Sequence, residues 1–297
     1  MRESTAPSTL RRLLVLQQFS AFAGAELAEL AMLADNVAET VFTAGQIIAP
    51  AEQPVSALHL ILSGRVESGN GGTDVWGPRS VFGLLEVLAR RRRTLPAIAT
   101  VETRTLALGS GDAIEILEDN FGVLRAVLRG LAGQLVGLPD AALAPRRCRC
   151  VAVAGERLGL VERLIVLRQH VPFVRGQLQA LAAVAHASDE VHWPAGAIVT
   201  RSGELADGML VVLEGELAAR TASGSSRTLV AGDQIGGLLT LAGLRHRETI
   251  EAITPVRALR TTGATILDVL EDHTELGLTM IGTFAGALLD AGEVQIN

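Results

Sequence analysis

Apolar positions along the chain follow helical spacing in some stretches and strand-like runs in others, and the same succession occurs twice. Residues 11–19 and 25–34, and again 162–170 and 176–186, carry apolar side chains at helical spacing, so each pair predicts two short helices. Strand-like runs punctuated by glycine follow at Gln46–Ala49, Leu58–Leu62, Arg65–Glu67 and Ile98–Leu108. The second succession places them at Ala197–Arg201, Met209–Leu213, Glu216–Arg220 and Thr249–Leu259. Each closes with helical sequence, at 112–136 and 264–289. Short strands separated by Gly and Pro turns predict a compact β-barrel or jelly roll with flanking helices.

The two successions are a duplication. Leu60-Ile61-Leu62-Ser63-Gly64-Arg65-Val66 matches Val211-Val212-Leu213-Glu214-Gly215-Glu216-Leu217 at an offset of 151. Ala44-Gly45-Gln46-Ile47 matches Ala195-Gly196-Ala197-Ile198 at the same offset, which also pairs Phe22 with Phe173 and Leu30 with Leu181. The offset becomes 153 at Phe82-Gly83 against Ile235-Gly236, and holds for Ile116–Asp119 against Val269–Asp272. Two residues therefore enter in between, and Thr221–Ser226 has the composition of an enlarged hairpin turn. The expected organisation is a first domain at 1–137, a linker at 138–157 containing Pro139 and Pro145, and a second domain at 158–297.

A length of 297 residues agrees with two domains at roughly 150 each. With 26 basic and 32 acidic residues the net charge is −6, which argues against a general binder of nucleic acid or anionic membranes. Every basic residue is Arg and Tyr is absent, a bias that suggests a GC-rich bacterial source. The longest uncharged stretch, Leu276–Leu289, has 14 residues, short of the ~18 needed to cross a bilayer. Arg11-Arg12 before Leu13–Leu16 imitates an export signal, but residues 13–23 have a counterpart at 164–174 in mid-chain, so they read as a domain helix. The expectation is a cytoplasmic protein. Cys148 and Cys150 are too few for a disulfide framework or a zinc site.

The ordered glycine motifs, present twice, resemble the cyclic nucleotide-binding domain family of catabolite-activator regulators and of cAMP-dependent protein kinase regulatory subunits. The carriers are Ala44–Ile48, Leu62–Val66 and Trp76–Gly83, then Ala195–Val199, Leu213–Leu217 and Ala231–Gly236. The resemblance implies two tandem β-jelly-roll domains, each with a phosphate-binding cassette. In the family that cassette reads Gly-Glu-Leu, then Arg about nine residues past the Glu; the Arg holds the cyclic phosphate and the Glu the ribose hydroxyl.

Mapped residue by residue, the first cassette offers Gly83, Leu84, Arg93 and Thr94, with Leu84 where the Glu belongs and Arg93 in register with the phosphate Arg. The second offers Gly236, Gly237, His246 and Arg247, with Gly237 for the Glu and His246 for the Arg. A hydrogen bond to a charged group contributes roughly 1.5–3 kcal/mol, so losing the ribose contact alone costs about 10- to 150-fold in affinity. The second cassette also replaces an obligate cation by an imidazole that is mostly neutral at pH 7. Glu86, two residues past the missing Glu, and Arg90–Arg92 flank the first cassette, as Arg245 and Arg247 flank His246. Substitution by these neighbours would require a shift of register.

Function classes narrow accordingly. His59, His170, His186, His192, His246 and His273 form no metal-ligand spacing, and no nucleophile-elbow or P-loop motif is present, so the expectation is a non-enzymatic protein without metal. With only eight residues after Leu289, the expectation is that no DNA-binding domain is appended. Two readings remain. One is a regulatory sensor in which cAMP, cGMP or another nucleotide-like ligand enters through Arg93 and repositions the closing helix 121–136. The other is a ligand-free interaction or scaffold protein, partnered by another protein or by self-association through the Gly- and Ala-rich helix 276–289.

Overall fold

The computed structural model describes residues 9–19, 26–69, 74–138, 157–170 and 173–294. Two compact units make up the chain: residues 1–130 with 281–297, and residues 131–280. The Pro- and Cys-containing stretch at 139–156 lies outside the described residues.

In the first unit, α1 (Thr9–Leu16) and α2 (Leu27–Asn36) precede the strands. Glu26 and Glu29 form a reciprocal capping box at the start of α2. The strands are β1 (Ala38–Phe42), β2 (Ile47–Ala49), β3 (Ala57–Ser63), β4 (Val66–Ser68), β5 (Val75–Trp76) and β6 (Val81–Phe82). A six-residue helix, α3 (Leu84–Ala89), separates them from β7 (Ala97–Ala99) and β8 (Thr103–Gly109). The unit continues into α4 (Ser110–Asp119) and α5 (Phe121–Val136). The strands form two antiparallel four-stranded sheets in the orders β1-β8-β3-β6 and β2-β7-β4-β5. Ala49, Ile61, Val66, Phe82 and Ala97, each no more than 5% exposed, pack together as the core.

The second unit repeats this plan. It runs through α6 (Leu160–Leu167), α7 (Leu178–His186), β9 (Asp189–Trp193), β10 (Ile198–Thr200), β11 (Gly208–Glu214), β12 (Leu217–Thr221), β13 (Ser226–Leu229) and β14 (Gln234–Ile235). Then come α8 (Gly237–Ala242), β15 (Glu248–Ala252), β16 (Val256–Thr262), α9 (Gly263–Asp272) and α10 (Thr274–Val294). Its sheet orders, β9-β16-β11-β14 and β10-β15-β12-β13, are those of the first unit element for element. Two tandem jelly rolls with flanking helices, as the sequence implies, are thus the architecture. The residues between β12 and β13 turn through Gly224 at φ +89°, where the sequence places its enlarged hairpin.

Register confirms the two offsets. Ser63 lies opposite Arg104 on β3 and β8, and Glu214 opposite Arg257 on β11 and β16. His59 faces Phe82 as Leu210 faces Ile235. Three sequence expectations change in detail. The runs 98–108 and 249–259 each break into two strands that enter different sheets, and both helical closing segments break in two, at Asn120 and at His273. Grouping by compactness also differs from grouping by repeat: residues 131–136 of α5 fall with the second unit, and residues 281–294 of α10 with the first. These helices, 16 and 21 residues, are about 24 and 32 Å long, whereas a seven-residue strand spans about 23 Å.

Candidate functional site

Each cassette is the turn and short helix that joins the two sheets. In the first, Gly83 sits at φ +85°, and a Cβ there would approach Val55 Cγ1 to 2.9 Å and the Ala57 carbonyl oxygen to 3.0 Å. Only glycine meets both demands, so Gly83 is required by the fold whatever binds. It caps α3, which ends at Arg90, itself left-handed at φ +53°. Leu84 is half-buried at the helix start, and Thr94 is exposed.

Arg93 does not face solvent. All three of its guanidinium nitrogens are engaged by the protein: Nη1 pairs with the Glu86 carboxylate, Nη2 donates to Ser68 Oγ at 3.0 Å, and Nε donates to the Leu95 carbonyl at 3.3 Å. Its Cζ lies 5.0 Å from the Trp76 ring centroid and 5.1 Å from that of Phe82, so aromatic rings cover the cation. The Arg93 and Glu86 side chains are only 7% and 9% exposed. The remaining arginines of the run point elsewhere. Arg90, Arg91 and Arg92 are exposed; Arg91 pairs with Asp290 and Arg92 donates to the Glu52 carbonyl at 3.3 Å.

The second cassette is built on Gly236 at φ +86° and on α8. Where a Cβ at Gly237 would project, it would collide with the side chain of Gln234, so a larger side chain at this position has no space unless Gln234 moves. His246 packs beside Gly236, its Cε1 3.5 Å from where a Cβ would stand. Burial pushes the His246 imidazole below its ordinary value, while Asp207 and Glu204 act in the opposite sense. Arg247 is exposed, with Nη1 3.5 Å from the Val136 carbonyl oxygen, and Arg245 donates to the Gly203 carbonyl at 2.8 Å.

Placed in register, the two cassettes differ as sets. Ser68, Trp76, Phe82, Glu86 and Arg93 of the first correspond to Ala219, Leu229, Ile235, Leu239 and His246 of the second. The second unit buries Ala219, Leu229 and Ile235 in a continuous apolar core. Three of the five positions thus join the apolar core of the second unit, where Leu239 and His246 stay part-exposed. Sequence reading named Arg93 as the candidate phosphate ligand and Glu86 as a neighbour of the missing carboxylate, but did not pair the two. Glu86 could have been found from its seven-residue separation from Arg93 only with the helix–loop geometry in hand, because α3 and the following loop together fold it back.

Among the described residues no group of His, Cys, Asp and Glu could hold a metal ion, and no helix is long and apolar enough to cross a membrane.

Comparison with known proteins follows the repeat. The family model described as the cyclic nucleotide-binding domain matches residues 39–120 and 190–273. No curated protein matches the sequence. Solved structures similar to the chain include the regulatory subunit of a cAMP-independent protein kinase A from Trypanosoma brucei, 16% identical, covering 92% of this chain and 94% of that one, with a TM-score of 0.37. The regulatory domain of Toxoplasma gondii PKA with cAMP is 16% identical over 92% of this chain and 98% of its own, with a TM-score of 0.35. A putative cyclic nucleotide-binding protein from Geobacter metallireducens is 25% identical over 44% of this chain and 96% of its own, with a TM-score of 0.36.

Proposed function

The chain belongs to the cyclic nucleotide-binding domain family, and on that premise we propose that it is a non-enzymatic regulatory protein whose cassettes no longer take a cyclic nucleotide at ordinary affinity. Tandem domains of this family fit a regulatory role. The single observation that carries the finer reading is the Glu86–Arg93 pair, because it occupies the one cassette cation that the sequence retains.

A cyclic phosphate arriving at Arg93 would have to displace a carboxylate already in place. Breaking a buried pair by withdrawing one partner costs about 3–5 kcal/mol, since the other charge stays buried. The ligand would meet this cost without the ribose contact that Leu84 cannot supply. In the second cassette the cation is an imidazole kept neutral by burial, and Gln234 covers the position of the missing carboxylate. Regulation would then pass through contacts with another protein or a second copy of the chain.

Titration calorimetry of the intact protein with cAMP and cGMP tests this. The expected result is no heat of binding at ligand concentrations up to a millimolar. The double variant Leu84→Glu/Glu86→Ala restores the ribose carboxylate and releases Arg93, and is expected to bind measurably. Micromolar binding by the unaltered protein, abolished by Arg93→Ala, would overturn the proposal and make this a nucleotide sensor.

A further inference from the structure

The first unit holds a cavity of about 750 Å³ away from its cassette, between α1 and the β1-β8-β3-β6 sheet. Four arginines line it, Arg11, Arg12, Arg79 and Arg104, against one carboxylate, Glu39. Val15, Phe19, Ile61 and Leu106 supply apolar lining. Arg104 pairs with Glu39 across the strands, and Arg12 donates to the Ala34 carbonyl at 3.2 Å while its buried Nε has no partner among the described residues. Among the described residues, Arg11 and Arg79 have no acidic partner, and both are exposed.

The second unit shows what completes this arrangement. Its residues in register are Glu162, Arg163, Glu190, Glu214, Gly232 and Arg257: two arginines against three carboxylates. The two units share the framework, for Arg163 reaches the Ala185 carbonyl just as Arg12 reaches that of Ala34. There, Arg257 pairs with Glu190 at 3.4 Å and with Glu214 at 2.7 Å, Arg163 lies 3.8 Å from Glu190, and the Arg257 side chain is 7% exposed. The carboxylate of Glu214 therefore closes the network. In the first unit Ser63 stands at that register position, opposite Arg104, and two further arginines replace Glu162 and Gly232.

From this we infer that the cavity is a ligand site of the first unit, in which a small organic carboxylate takes the place that Glu214 holds in the second. Its charged end would meet Arg104, Arg12 and Arg79, forked donors suited to a planar carboxylate. Its apolar body would lie against Phe19 and Val15. The volume lies within the range of small-molecule pockets. The site is separate from the cassette, so its standing does not depend on the cassette reading.

The test is titration of the full chain with benzoate and hexanoate, against chloride and inorganic phosphate at matched ionic strength, by calorimetry and thermal unfolding. One benzoate or hexanoate per chain, with a rise of several degrees in Tm at saturation, is the expected result. Ser63→Glu, which installs the second unit's carboxylate, should abolish that response without lowering the Tm of the ligand-free protein. Arg11→Ser/Arg79→Ser alters only exposed side chains and should weaken binding at least tenfold in a protein that stays folded. The inference falls if the two carboxylates act no more strongly than chloride or phosphate, or if the response survives in both variants.

Discussion

Glu86 and Arg93, seven residues apart, form an ion pair with both side chains more than nine-tenths buried. In the second unit the same two positions are Leu239 and His246, neither of which carries a full charge at neutral pH. The duplicated fold thus tolerates two solutions at one place: a buried charge pair with aromatic cover, or a part-exposed leucine and imidazole.

If the pair is a packing device, its members act as a unit. Arg93→Met or Glu86→Leu alone should destabilise the first unit by about 3–5 kcal/mol, whereas the double variant Glu86→Leu/Arg93→Met should cost much less than the two single costs added together. Urea unfolding of the singles and the double measures this coupling. Additive costs would mean that the two side chains stabilise the unit independently.

His170 is fully buried, and among the described residues neither ring nitrogen has a hydrogen-bond partner. In the first unit the matching residue is Phe19. Replacing His170 by Phe should remove two unsatisfied polar atoms while keeping the ring, and should stabilise the second unit by about 1–3 kcal/mol. A thermal scan checks it, and a lower Tm would show that the imidazole has a role which this packing does not reveal.

Burial lowers both His59 and His170 to about 4 from 6.5. The unfolded chain therefore binds more protons than the native one between pH 6.5 and 4, so stability should fall as pH falls through that window and level off below it. Above pH 6.5 both imidazoles are neutral in both states and contribute no slope. Denaturation midpoints from pH 7.5 to 4 report the effect, and His170→Phe should flatten part of the acid limb. An unchanged slope in that variant would assign the limb to other groups.

Two glycines with nearly equal backbone angles should respond differently to alanine. Gly45 at φ +84° has no atom of the described residues within 4 Å of where a Cβ would stand, so Gly45→Ala should cost only the left-handed penalty of about 1–2 kcal/mol. Gly83 at φ +85° adds contacts at 2.9 and 3.0 Å, one of them with backbone, and Gly83→Ala should cost clearly more. Equal midpoints for the two variants would show that the loop at 55–57 yields freely.

The duplication and the jelly-roll class were legible in the sequence, because they rest on glycine spacing. Glycines at 45, 64, 83, 196, 215 and 236 all adopt positive φ, a local demand that the chain states directly. The fate of Arg93 was not legible. Glu86 reaches it only after α3 and the following loop fold back, and Ser68, Trp76 and Phe82 arrive from strands of both sheets. The basic cavity was hidden for the same reason: α1, β1, β3, β8 and the turn at Arg79 each contribute to it. Spacing along the chain determines turns and periodic faces. Which charges neutralise one another is decided by long-range register, and that exists only once the two sheets have closed.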